Sequence, residues 1–125
     1  MTENEIGTII TKTSYDIYQT LGPGLLESVY HKILNYELRK QKLLVESEVP
    51  ISVNWKGHTI DQGFRADLIV HNKVLVELKS VEAIKKIHQK QTTTYLKLSN
   101  LKLGYLINFS ASSNATLIQR LANNL

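Results

Sequence analysis

The sequence predicts an α/β (α+β) fold with one mixed sheet of four to five strands and helices on its faces. Three observations predict it. Two segments with helical spacing of apolar residues come before any strand-like segment. A stretch rich in β-branched residues, 45–80, follows, punctuated by turn residues. A third helical segment then separates this stretch from another apolar strand, and its length suits a crossover between parallel neighbours.

Residues 4–21 put Ile6, Ile9, Ile10, Ile17 and Leu21 near one helical face, with Thr13 bridging the gap. "LGPG", 21–24, stops this helix, because Gly leaves the helical region easily and Pro blocks its predecessor from it. A second helix runs from about Leu25 to Lys42, with Leu26, Val29, Tyr30, Ile33, Leu34 and Leu38 as its buried stripe. "VESEVPISVNW", 45–55, alternates in part, and Pro50 marks an edge strand or a bulge. A Lys56-Gly57 turn leads to the short strand 58–63, and strands at 64–70 and 74–80 come next. A third helix spans about 83–100, packed through Ile84, Ile87, Leu98 and Leu101. "KLGYLINFS", 102–110, is a strand, and residues 115–125 read as a short helix or a strand, the helix being favoured.

The chain has 125 residues, 42% apolar and 21% charged, which fits one globular domain over 1–125. A domain of that size buries roughly 65–70% of its unfolded surface. The chain contains no cysteine, which excludes disulfides, thiolate chemistry and cysteine-based zinc sites. The four histidines lack metal-ligand spacing, so zinc is not expected. The net charge of +4 is compatible with a polyanionic partner. "MTENEIGTII" is acidic where a secretory signal is basic, and no apolar run has membrane-spanning length. The expected location is cytoplasmic, with no membrane partner.

"FRADLIVHNKVLVELKS", 64–80, carries two carboxylates and an ammonium in the most strand-like part of the chain. Read as a hairpin with the loop His71-Asn72-Lys73, Val70 faces Val74, Asp67 faces Glu77 and Arg65 faces Lys79. Alternation then puts Arg65, Asp67, Ile69, Leu75, Glu77 and Lys79 on one face. Ala66, Leu68, Val70, Val74, Val76 and Leu78 share the other, wholly apolar face. Like charges opposed across a ladder are destabilising, so the two acids either share a proton or hold a cation. Two acidic groups with a neighbouring lysine suit a Mg²⁺ site handling phosphate. The competing reading is a solvated face with a surface salt bridge worth about 0–1 kcal/mol.

"GLLESVY", 24–30, fits the pattern G-x-x-E-x-x-Y through Gly24, Glu27 and Tyr30. With the 64–80 hairpin and "HQKQTTTYLK…LKLGYLINF", the chain from about residue 5 to 110 resembles the small bacterial GxxExxY proteins. That family is similar in turn to the PD-(D/E)XK nuclease superfamily. The resemblance implies a restriction-endonuclease-like α-β-β-β-α-β core with an extra helix in front. It implies metal-binding roles for Asp67 on the second core strand and for Glu77, with Lys79 completing E-x-K on the third. It also implies roles for Glu27 from the first core helix and for Gln91 and Tyr95, which fit Q-x-x-x-Y. The chain departs from the pattern at Ala66, where a proline often precedes the aspartate.

Each remaining residue carries two readings. Glu27 is either part of the site or a first-turn acid favoured by the helix dipole. Tyr30 reads as core, its hydroxyl bonded to a neighbour. Gln91 and Tyr95, with His88, either face a phosphate or base or sit at the margin of an amphipathic helix. Lys85, Lys86 and Lys90 contact phosphate or form a solvated face, and Glu82 lies just beyond the site strand.

The expected function is metal-dependent hydrolysis of phosphodiester bonds. Mg²⁺ or Mn²⁺ would be held by Asp67, Glu77 and a backbone carbonyl near Leu78, with Glu27 on an outer water or a second metal. Catalytic residues would be Glu27, Asp67, Glu77, Lys79 and Gln91. The partner would be nucleic acid, DNA ahead of RNA, and a homodimer or partner protein is compatible. The alternative is a non-catalytic nucleic-acid- or protein-binding module on the same scaffold.

Overall fold

The computed structural model describes residues 1–125, the side chain of Gln62 excepted. Helix α1, Glu3–Leu21, opens with a capping box. Thr2 Oγ1 accepts the Glu5 amide at 3.1 Å, and the Glu5 carboxylate accepts the Thr2 amide at 2.9 Å. The helix ends at Gly22, whose φ of 67° suits a residue without Cβ. Helix α2, Glu27–Lys40, starts at Leu26 with no side-chain cap. Tyr30 secures this start instead. Its hydroxyl donates to the Gly22 carbonyl at 2.5 Å and accepts the Leu25 amide at 3.2 Å. Its ring stacks on Phe109 at 4.7 Å, and Ser80 Oγ donates to the Leu25 carbonyl at 2.8 Å.

Five strands form one sheet in the order β1-β2-β3-β4-β5: β1 Val45–Trp55, β2 His58–Val70, β3 Val74–Lys79, β4 Leu103–Asn108 and β5 Ile118–Ala122. The β3–β4 pair is parallel, joined through α3, Lys86–Ser99, and the other pairs are antiparallel. Strand β1 lies at an edge, where Pro50 was expected. Helices α1 and α2 cover one face through Ile6, Ile10, Tyr30, Leu34 and Leu38, against Leu68, Val70, Val74, Val76 and Leu78. Helix α3 covers the other through Leu96, against Ile51, Ile69 and Leu75. Among the described residues no helix is long and apolar enough to cross a membrane. Helix α1 also reaches far along the chain: Tyr18 donates to the Ala111 carbonyl at 2.5 Å and Gln19 to Asn114 Oδ1 at 2.9 Å.

Several expectations are corrected. Residues 118–122 form a strand where a helix was expected, because the free edge of β4 offers a ladder that outweighs helix propensity. The expected strands 58–63 and 64–70 are one strand, β2. They join at Gly63, where a Cβ would meet the Ile51 carbonyl at 2.8 Å. Helix α3 begins at Lys86, not 83. Asn108 holds the preceding segment, accepting the Val81 amide at 3.1 Å and donating to the Val81 carbonyl at 2.9 Å. Thr92 and Leu96 are buried on α3, while Ile87 and Leu98 are exposed. At about 3.6 residues per turn, those two lie on the far side of the helix. In α2, Leu26 is 73% exposed and Val29 is also exposed, since Leu26 precedes the helix and the buried stripe is Tyr30, Leu34 and Leu38.

Replacing Tyr30 by Phe keeps the stack on Phe109 but strands the Leu25 amide and the Gly22 carbonyl. The variant is expected to lose about 1–3 kcal/mol. Thermal unfolding followed by circular dichroism should show Tm lowered by about 3–10 °C.

Candidate active site

The β2–β3 hairpin turns at 71–73, with His71 and Asn72 at φ of 53° and 54°. Its register pairs Val70 with Val74, Ile69 with Leu75 and Leu68 with Val76, as expected. The ladder stops there. Beyond it, β2 stays with β1, pairing Ala66 with Val49 and Arg65 with Pro50. Strand β3 stays with β4, pairing Glu77 with Leu106 and Lys79 with Asn108. The two strands part, so neither the expected Asp67–Glu77 pair nor the expected Arg65–Lys79 pair is in the ladder, and Arg65 is exposed. Ala66 packs with the Ile69–Leu75 layer, not with Leu68 and Val70, because β2 leaves β3 at this point.

Parting leaves two backbone amides without ladder partners, and the two acids take them. The Leu78 amide donates to Asp67 Oδ2 at 2.7 Å. The Asp67 amide donates to Glu77 Oε1 at 3.2 Å. This is the local reason for carboxylates in buried strands: their oxygens replace carbonyls that the neighbouring strand no longer supplies.

Electrostatics sets these groups apart. Glu77 is only 7% exposed, and burial, then the Asp67 charge, push its carboxyl up to about 8. Burial also raises Asp67, against the opposing pull of the Leu78 amide, His31 and Lys79. Glu27, in the first turn of α2, is raised by burial and then by the Asp67 charge. Lys79 opposes the rise in all three. Glu27, Asp67, Glu77 and Lys79 therefore lie within one another's fields.

Helix α3 approaches the same acids. Burial, then Glu77 and Asp67, raise the Tyr95 hydroxyl. The Tyr95 ring stacks on Phe64 of β2 at 3.5 Å, with planes 8° apart. Burial and then Lys79 lower His88, whose Nδ1 accepts the Lys85 amide at 3.0 Å. Gln91 is exposed and makes no side-chain hydrogen bond among the described residues, although spacing puts it on the stripe of His88 and Tyr95. Lys85, Lys86, Lys90 and Glu82 are exposed.

The sequence sets His31 beside Glu27 on the helix surface but assigns it no role. It lies one turn after Glu27, acts on both Glu27 and Asp67, and sits with Nε2 2.8 Å from Ser47 Oγ. Its i+4 spacing from Glu27 was the available signal. Ser47 carried none, because only the pairing of Ser47 with Leu68 brings it near.

A family model described as the PD-(D/E)XK nuclease superfamily matches residues 4–121. No curated protein gives a significant match. Among solved structures, the crystal structure of SSO0001 is similar in fold, with a TM-score of 0.55 at 21% identity. The likeness covers 78% of this chain and 50% of that one, so this chain spans about half its length.

The folded protein holds a proton on Glu77 that an unfolded chain releases near the ordinary glutamate value of 4.5. Its contribution to stability is full below that value and is lost as pH rises through about 8. Calorimetry in chelator should show Tm falling across this window. Glu77→Gln, which can still accept the Asp67 amide, should flatten the slope and be the more stable protein at the alkaline end.

Proposed function

The chain belongs to the PD-(D/E)XK nuclease superfamily, and from that premise we propose that it is a metal-dependent nuclease hydrolysing phosphodiester bonds of nucleic acid. The observation that carries the reading is the meeting of the buried Glu77 carboxyl with the half-buried Asp67 carboxyl, with Lys79 beside them where β2 parts from β3.

These residues fit a hard divalent cation. Each carboxyl gives one oxygen to an amide and keeps further lone pairs free. Both are held above their ordinary values mainly by burial, a penalty that a bound cation offsets. Among the described residues no three of His, Asp or Glu stand close enough to hold one ion. Asp67, Glu77 and the Leu78 carbonyl would therefore hold Mg²⁺ or Mn²⁺, with Glu27 acting through bound water. When bound, such an ion supplies a water of lowered pKa and polarises a phosphoryl oxygen.

The protein's own groups do the rest. Glu77 must give up its proton before it can act as a ligand. The Lys79 ammonium orients the attacking water and offsets charge gathering on the phosphoryl oxygens. Glu27 orders water on the helix side. Gln91, on the stripe with Tyr95, reaches toward a phosphate or base. In this reading residues 1–125 work as one cytoplasmic domain of the GxxExxY type, on DNA ahead of RNA, alone, as a homodimer or beside a partner protein.

The rival is a non-catalytic binding module on the same scaffold. It draws on the meeting of two acids with, among the described residues, no third His, Asp or Glu close enough to share an ion. Asp67→Asn and Lys79→Ala should each lower Mg²⁺-dependent cleavage of a nucleic-acid panel by at least about 10²-fold, with unchanged circular dichroism. Calorimetry should show Mn²⁺ binding that Asp67→Asn abolishes. Full cleavage by either variant would sink the assignment. A wild type that neither binds Mn²⁺ nor cuts would favour the module.

A further inference from the structure

Strand β3 accompanies β2 only over Leu68–Val70, yet β1 and β2 stay paired out to Trp55 and His58. Beyond Ala66 they therefore run on as a two-stranded ribbon. Its base is anchored to α3 by the Phe64–Tyr95 stack, next to Asp67 and Glu77. Its tip is a two-residue turn, Lys56-Gly57, with φ of 48° and 85°, in which the Gly57 amide donates to Asn54 Oδ1 at 3.2 Å. Asp67 lies nine positions after His58 along β2, so the tip lies up to about 30 Å from the acids.

The tip is chemically distinct. Trp55 is 61% exposed, and Lys56 Nζ lies 5.2 Å from the centre of its ring. Ile60 is exposed beside it, and Arg65 is exposed at the ribbon's base. Lysine is uncommon at a left-handed turn position, where Asn or Gly is favoured. An exposed indole with a cation at its side, and a second cation along the path to two acids, matches an unpaired base and its phosphates. A second copy of the chain is the less suitable occupant. The β1 edge carries Glu46, Glu48 at φ of 53° and Pro50, features that discourage strand pairing between molecules.

We propose that the β1–β2 ribbon is a single-strand-binding arm: Trp55 stacks on an unpaired base, Lys56 and Arg65 contact the backbone, and the strand is led to Asp67 and Glu77. The inference rests on the nuclease reading for the last step only.

Trp55 is the protein's single tryptophan, so its fluorescence reads the tip alone. The full chain is titrated in chelator with a single-stranded oligodeoxynucleotide long enough to reach Asp67, and binding is followed separately by anisotropy of a labelled copy. Binding accompanied by strong quenching is expected, with a duplex quenching far less. Trp55→Ala should raise Kd about 5- to 100-fold, raise KM with kcat unchanged, and be rescued largely by Trp55→Phe. Lys56→Ala should reduce the slope of log K against log salt by about 0.7. Because both side chains are exposed at a tip, circular dichroism should not change.

Anisotropic binding without quenching overturns the arm and leaves the nuclease reading intact. Equal quenching by a duplex, or an emission change on protein concentration alone, also overturns it, the latter in favour of a second copy. Quenching and binding without any Mg²⁺-dependent cleavage support the arm and overturn the nuclease. No binding of the single strand overturns the arm and leaves the nuclease reading to the cleavage panel.

Discussion

Everything in this structure turns on two amides that lose their partners. Where β2 follows β1 and β3 follows β4, the hairpin opens, and the Asp67 and Leu78 N–H groups face a gap. A buried, unpaired amide costs about 1–3 kcal/mol. Short acidic side chains supply the missing acceptors, and so the carboxyls are fixed by the sheet's own bookkeeping of hydrogen bonds. Burial then raises both acids, and groups from the helices on either side lie within reach of their charge: Glu27 and His31 from α2, Tyr95 from α3.

The helical side of the site depends on a loop that has little intrinsic structure. Gly22 to Leu26 lacks a side-chain N-cap for α2. Tyr30 and Ser80 take its polar groups instead, and Ser80 is itself bonded to Ser110 at 2.6 Å. Glu27 is thereby tied to the end of β3, one residue beyond Lys79. A tyrosine read as core with a bonded hydroxyl is thus also the anchor for an acid three positions earlier.

The sheet's logic was legible because period-two alternation and a three-residue loop admit one parity for the 64–80 hairpin. The pairing of Val70 with Val74 follows, and with it the approach of Asp67 to Glu77. The β3–α3–β4 crossover was legible from segment length. What escaped notice depends on contacts distant in sequence. No local pattern tells that β2 abandons β3 at Asp67, or that residues 118–122 find a free edge on β4. Asn108 carries no local sign that it will hold Val81 and delay the start of α3. Leu26 and Val29 have the right spacing for a buried stripe, but the layer ends before reaching them. His31 was visible as a neighbour of Glu27, yet its reach to Asp67 depends on how α2 lies across the parted strands.

The bonds from Tyr18 and Gln19 to residues 111 and 114 span more than 90 positions of chain. The two hairpins, by contrast, close through turns of two and three residues. Loop entropy grows with the length enclosed, so contacts of the first kind are reached last. On that ground the ribbon and the 64–80 hairpin are expected to form early, and docking of α1 against the 111–117 segment late. A contact formed that late is absent from the transition state, so loosening it is expected to quicken escape from the native state more than it slows formation.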